Sequence, residues 1–300
     1  MQKIKIRLPA TVTNLGAGIQ SLGLALGLYT TVEISQRSDN QLKVEFVGEG
    51  KDTYDTPLKN PTILGLSRFF QHLEKTVLGI DIYIKNEIPL NSGLGGEEAM
   101  MIAGLMGAND LMKHPFNRFE LMEMAAKISD ADNTITTLLG GLTATYFEDD
   151  ELLYRALPVT PFKMIVIVPE IDDYTPPNLP DSVSFADVLN NTRRIPLLLE
   201  ALRKGDTELL TQVLDDKIYN PLFADAIAGY GHVLEIGKRA GAGAIIVSGD
   251  GPSLLAFATK NHERIAEDMR LAFKSTGVEA RSWVLPIDTQ GVVISAMHSV

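Results

Sequence analysis

Residues 88–104 read IPLNSGLGGEEAMMIAG, and this stretch limits the possible folds more than any other. The alternating run Ile80-Asp81-Ile82-Tyr83-Ile84 before it predicts a strand, and the run from about Glu97 to Leu111 predicts a helix. Between them, Gly93, Gly95 and Gly96 let the backbone fold closely around a ligand. The helix N-terminus offers unpaired N–H groups and the positive end of its dipole. Strand, glycine turn and helix in that order describe an anion site, most often for phosphate. The same residues also describe an ordinary tight strand-to-helix turn, because glycine-rich turns are common. Glu97 and Glu98 fall where a phosphate would rest. First-turn acids suit a helix dipole but not a bound polyphosphate.

Composition removes several classes of partner. A length of 300 residues suggests two domains or one large one, with enough chain to bury a core unaided. The absence of cysteine rules out disulfides, thiolate metal sites and cysteine nucleophiles, and fits a reducing, cytoplasmic setting. A net charge of −11 without any Lys/Arg cluster argues against nucleic acid. Met1-Gln2-Lys3-Ile4-Lys5 runs straight into a strand pattern with no signal peptide, and no apolar run is long enough for a membrane span. The histidines (His72, His114, His232, His262, His298) are scattered without metal-ligand spacing.

Along the chain, residues 3–8 alternate as a half-buried strand that Pro9 is expected to end. Residues 10–23 then read as a polar, glycine-rich loop, either lining a site or forming a surface connection. Strands are expected over 29–35, 41–47 and 79–86. Asn60-Pro61 opens a helix over 60–73. Helices over 119–129 and 134–139 precede a hairpin over 142–157. Pro158 and Pro161 mark the expected boundary, giving domains 1–159 and 160–300. The second half predicts a strand over 162–168, a stiff proline-bearing loop over 169–180, and helices over 184–204, 207–216 and 222–240. A hairpin over 244–258, a helix over 261–275 and closing strands over 280–285 and 291–295 follow. Strands mixed with helices in this way suit an α+β or split βαβ architecture better than a doubly wound sheet.

Three stretches resemble, in order and spacing, the motifs of GHMP kinases: LPATVTNLGAGIQSLGLALGLY, IPLNSGLGGEEAMMIAG and GAGAIIVSGDGPSLLAF. The first is most similar to the homoserine kinase pattern P-A-[ST]-x-x-N-L-G-x-G-F-D-x-L-G-L-A-L. VSFADVLNNTRR, residues 183–194, is similar to that family's V-S-x-x-D-A-V-x-N-x-[ST]-R. The resemblance implies a two-domain α+β fold: an N-terminal, ATP-binding domain of the ribosomal-protein type and a C-terminal ferredoxin-like domain, with the site between them. It implies magnesium-dependent transfer of the ATP γ-phosphoryl to the hydroxyl of L-homoserine or a related small metabolite, on the way to threonine. A homodimer is also implied.

Roles carried over from the family fall on particular residues. Asn60 would lie near the adenine, although an asparagine there also suits a plain helix cap. Pro89, Ser92, Gly93, Leu94, Gly95 and Gly96 keep the phosphate-loop frame. The family then reads S-S-A-A where this chain has Gly96-Glu97-Glu98-Ala99, so the hydroxyls that help hold phosphate and metal are missing. Glu123 matches a magnesium-ligating glutamate, and Glu97 is a second candidate, since Mg²⁺ prefers oxygen donors. Asp130-Ala131-Asp132-Asn133 stands for H-[PA]-D-N, with Asn133 a substrate contact or a helix cap. Asn14 is a further substrate contact. Gln20 replaces the aspartate that would pair with the substrate ammonium, and Arg193 would clamp its carboxylate. Asp250 stands where the family has a small residue. Two readings follow: a kinase whose added acids are bridged by Mg²⁺, or a catalytically silent member of the fold that binds a small ligand or a protein.

Overall fold

The computed structural model describes residues 3–54, 56–76 and 79–297. Pro9 does not end the first strand. β1 runs Lys3–Leu15 and β2 runs Gly18–Gln36, an antiparallel hairpin that turns at Gly16-Ala17. The loop expected over 10–23 is therefore mostly strand. Ala10, Val12, Leu15, Leu22 and Leu24 are buried along it, and so are Thr11, Thr13 and Asn14. Threonine is β-branched and suits a strand as well as valine does. Pro9 pairs with Tyr29, and the register shifts between Pro9 and Ala10, an irregularity of the kind at which a sheet tolerates proline.

β3 (Leu42–Gly48), the single turn α1 (Lys51–Tyr54), α2 (Pro61–His72) and β4 (Ile80–Asn86) follow. Next come α3 (Gly96–Leu111), α4 (Arg118–Ala126), α5 (Ala131–Leu139), and the hairpin β5 (Leu142–Glu148) and β6 (Glu151–Leu157). β4 lies between β2, antiparallel to it, and β3, parallel to it, while β5 pairs with the first half of β2. α3 is apolar on nearly every side, as expected of a helix buried between a sheet and other helices. Its Ala99, Met100, Ala103 and Leu105 join Ile6, Leu8, Ile34 and Ile82 of the sheet in one core. That burial fixes the N-terminus of α3 at the end of β4. α5 begins at Ala131, three residues before the expected start, so Asn133 is inside the helix and Asp130 holds the cap position.

The second sheet has the order β10-β7-β9-β8, all antiparallel. Its strands are β7 (Lys163–Pro169), β8 (Ala244–Val247), β9 (Leu254–Phe257) and β10 (Ala280–Pro286), with helices between β7 and β8 and between β9 and β10. This is the split βαβ arrangement. β7 is buried on both faces: Ile165 and Ile167 meet α8 (Tyr230–Ala240) and α9 (His262–Ser275), while Met164 and Val166 join the larger core. α6 (Phe185–Lys204) carries Pro196 without ending there, and α7 (Thr207–Val213) follows it. The helix expected over 222–240 is broken into a 3₁₀ turn, Asn220–Ala224, and α8, with Gly229 between them at φ +80°.

The final strand, β11 (Val293–Met297), returns to the first sheet and pairs antiparallel with β1, from Lys3↔Met297 to Arg7↔Val293. Among the described residues, no helix is long and apolar enough to cross a membrane.

Candidate active site

The glycine turn after β4 is tied to two other segments. Thr11 of β1 donates its N–H to the Leu94 carbonyl at 3.0 Å. From the β8–β9 turn, the Ser248 hydroxyl donates to the Gly93 carbonyl at 2.6 Å, and the Ser253 N–H to the Ser92 carbonyl at 3.3 Å. That turn is in turn held to β1: Gly249 N–H donates to Thr13 O, and Asn14 Nδ2 donates to Gly249 O. Gly93 has φ +71° and Gly95 φ +67°. A Cβ on Gly93 would lie 2.2 Å from the Ser248 carbonyl, and one on Gly95 would lie 2.0 Å from the Thr11 hydroxyl. Neither position can hold a side chain, for reasons of both backbone conformation and space.

These segments enclose a cavity of about 540 Å³, a usual size for a small-molecule site. Asn14, Gln20, Pro89, Ser92, Gly93, Leu94, Gly95, Gly96, Glu97 and Asn133 all line it. Asn14 and Gln20 both take left-handed backbone, at φ 58° and 50°, and the Gln20 N–H donates to Asn14 Oδ1 at 2.8 Å. Such a conformation is unusual for glutamine and typical of strained functional positions. Asn133 accepts from the Thr11 hydroxyl at 2.7 Å through Oδ1, so it braces the turn rather than capping a helix. Ser92 is 2% exposed, and its hydroxyl donates to the Pro89 carbonyl, a purely structural bond.

Three expected site residues lie elsewhere. Glu123 lines a separate cavity between α2 and α4, with Arg68, His72, Phe116 and Lys127. Arg193 is exposed on α6 and does not line the first cavity. Asn60 is 1% exposed and caps α2: its Oδ1 accepts from Thr62 N–H and its Nδ2 donates to Tyr54 O. Tyr54 donates its phenol to Glu97, so Asn60 reaches the site only through this tyrosine. Burial, with Glu97 and Glu98 nearby, pushes the Tyr54 phenol well above its ordinary range and keeps it a donor.

Sequence reasoning did not identify Thr145, Phe147, Tyr174 or Tyr219. Thr145 and Phe147 line the cavity and share one face of β5, which its period of two would have indicated once Thr143 is placed inward. Tyr174 lines the cavity from the proline-bearing loop. Tyr219 acts from behind: its hydroxyl donates to Asp250 Oδ1 at 2.6 Å and lies 3.0 Å from the Gly249 carbonyl. No local sequence signal marks it.

The site is acidic. Glu97, Glu98, Asp130, Asp132 and Asp250 line it, and among the described residues no lysine, arginine or histidine does. Burial, reinforced by Asp130, Glu97 and Asp132, raises Glu98 to about 7. Burial also raises Asp132 to about 6, with Asp130 and Asp250 adding to the effect and hydrogen bonds from its own and the Asn133 backbone opposing it. The donor set fits a metal–nucleotide complex. The helix N-terminus and glycine cradle suit phosphate, while carboxylates with no cationic side chain beside them suit phosphate only when a hard cation lies between. No group of acidic or histidine side chains among the described residues could hold a metal alone.

A model of the GHMP kinase N-terminal domain matches residues 62–141. The homoserine kinase of Carboxydothermus hydrogenoformans is 30% identical over 279 residues, covering 92% of this chain and 91% of that protein. The homoserine kinase of a Picosynechococcus species is 32% identical over 306 residues, covering 98% and 100%. Among solved structures, the homoserine kinase of Cytophaga hutchinsonii aligns with a TM-score of 0.83 at 24% identity, over 98% of this chain and 97% of that one. The L. major mevalonate kinase, solved with R-mevalonate, aligns with a TM-score of 0.64 at 15% identity, over 95% and 96%.

Proposed function

The chain belongs to the homoserine kinase family, and we infer from that membership that it transfers the γ-phosphoryl group of ATP to the hydroxyl of L-homoserine. The observation that carries this reading is near-complete coverage of both chains at about a third identity, joined to a cavity built from the matching glycine turn. Phosphoryl transfer needs positioning and charge neutralisation more than covalent work by the protein. Backbone N–H groups from Gly93 to Glu97 would cradle the phosphates at the N-terminus of α3. Mg²⁺, when bound, would neutralise phosphate charge, and Glu97, oriented by Tyr54, would be the chain's oxygen donor to it. Asn133, braced on Thr11, and Asn14, braced on Gly249, position the acceptor end. Glu123 and Arg193 have no part in this scheme, since neither lines the cavity. Residues 1–159 would form the ATP-binding domain and residues 160–300 the C-terminal domain, which contributes Asp250. A homodimer is proposed, to be checked by sedimentation.

The test is ADP release coupled to a spectrophotometric readout, with ATP, Mg²⁺ and L-homoserine. Homoserine-dependent turnover that forms O-phosphohomoserine is expected. Absence of turnover, with no rise in melting temperature under saturating MgATP, would establish a silent member of the fold instead.

A further inference from the structure

β6 is a free edge of the first sheet: among the described residues it pairs with β5 and with no other strand. The β5–β6 hairpin turns at Asp149-Asp150, both at positive φ, between the paired residues Glu148 and Glu151. A two-residue turn of this kind closes on a hydrogen-bonded pair, and bonded and non-bonded pairs alternate from there. The main-chain N–H and C=O groups of Glu151, Leu153 and Arg155 therefore face β5, while those of Leu152, Tyr154 and Ala156 face outward. The Tyr154 carbonyl accepts from Arg155 Nη1 at 2.6 Å, in place of a ladder partner. An open edge is a template for another strand, and proteins blunt such edges with proline, lysine or a bulge. β6 reads ELLYRAL and keeps an unbroken register with β5, so it has none of these. Its side chains are apolar at the centre and oppositely charged to either side. Leu153 is 53% exposed, beside its β5 partner Tyr146, which is exposed as well. On the opposite face of the sheet, the exposed Phe119 of α4 stacks on Tyr154. Glu151 and Arg155 flank Leu153 on its own face, and neither has an ion-pair partner among the described residues.

We propose that β6 pairs antiparallel with β6 of a second copy of this chain, about a two-fold axis at Leu153, so that the two first sheets become one. The outward groups restrict the register, because only Leu152, Tyr154 and Ala156 have main-chain bonds to offer. A two-fold at Leu153 sets Leu152 and Tyr154 of the two copies opposite each other in bonded pairs. It sets Leu153 against Leu153, and it sets each Glu151 against Arg155 of the other copy. The leucine and charge pairs are then non-hydrogen-bonded pairs, the kind that brings side chains closest. With the axis moved to Leu152 or Tyr154, Leu153 would instead face Glu151 or Arg155. The strand is thus self-complementary in charge and in apolar surface at one symmetric register. Such an interface is isologous, so association closes at two copies. It supplies an interface for the homodimer, which rests on the homoserine kinase reading, while the edge itself is argued without the cavity.

Charge reversal tests the register. Sedimentation of the full chain across micromolar concentrations is expected to show a dimer. Glu151→Arg and Arg155→Glu should each raise its dissociation constant at least about tenfold, because the symmetry turns two attractive pairs into two repulsive ones. An equimolar mixture of the two variants has opposite charges at both positions again and should recover a dimer, as should the double variant Glu151→Arg/Arg155→Glu. That recovery also shows that both variants are folded. In the native dimer the Leu152 and Tyr154 amides should exchange with deuterium more slowly than in monomeric Glu151→Arg. A native chain that stays monomeric overturns the interface and the homodimer together. A dimer that tolerates both reversals, or variants that do not recombine when mixed, overturns the interface and leaves the homodimer standing on some other surface. Turnover does not enter the readout, so a catalytically silent chain that dimerises in this way supports the interface while the kinase reading falls.

Discussion

Glu98 keeps its proton at a pH where a solvated glutamate has lost it, and this has a measurable sign. Its folded value near 7 lies above the ordinary 4.5, so the folded chain holds a proton that the unfolded chain releases across that window. The resulting stability is fully present below pH 4.5 and is lost as pH rises through 7. Asp132, raised from 3.8 to about 6, acts in the same direction. Between pH 5 and pH 8 the nucleotide-free protein should lose about 1–2 kcal/mol on account of Glu98, after allowance for water in the cavity. Glu98→Gln should remove that part of the slope, read from urea midpoints across pH. Glu97→Gln keeps a partner for Tyr54 but removes the charge, so half-maximal activity should need about tenfold more Mg²⁺ at unchanged saturating ATP. Gly95→Ala should cost about 1–3 kcal/mol, because it puts a Cβ both at positive φ and against Thr11. At this scale the placement of the glycine turn, Asn14, Gln20, Asn133 and the acidic substitutions at one cavity was legible, since each rests on residue type within a short motif. Tyr54 and Tyr219 were not, because their roles come from contacts with residues distant in sequence.

Elements formed where local signals agreed and shifted where tertiary packing outweighed them. Asn60-Pro61 marks the start of α2 unambiguously, and the structure gives the asparagine a second task in holding the Tyr54 carbonyl. Asn60→Ala should therefore cost about 1 kcal/mol or somewhat more in thermal unfolding, from the lost cap. It should also loosen Glu97, seen as a weaker response of the melting temperature to Mg²⁺ with nucleotide. β1 and β2 ran through their expected end at Pro9 and their expected loop because β-branched and apolar residues continue beyond it, with a register shift absorbing the proline. α8 starts later than its periodicity suggested, because Gly229 at φ +80° breaks the helix and the preceding turn is held by Asp216 and Asn220. Asn220 Oδ1 accepts from Val247 N–H in β8, a long-range bond that the sequence pattern does not contain.

Across the whole molecule, the two sheets are joined by more than the connection after β6. Asp288, 6% exposed, accepts from the Tyr29 hydroxyl and from the N–H groups of Gln290 and Gly291, where the chain leaves β10 for β11. Its main chain also bonds Ala25 and Gly141. Asp288→Ala should lower stability by about 2–4 kcal/mol in a single cooperative urea transition, since it strands buried donors at the junction of both sheets. Two separate transitions would show that the sheets unfold independently. The sequence by itself determined the α+β class, the order of the main elements, and the glycine turn with its two glutamates, because propensity, periodicity and turn chemistry act over a few residues. Only the tertiary structure decided that β11 returns to the first sheet. It alone brought Asp250, from the β8–β9 turn, into one cavity with Asp130, and it left Glu123 and Arg193 outside that cavity. Those outcomes depend on which buried surfaces meet and on which face of a helix they leave outward, and neither is fixed by spacing along the chain.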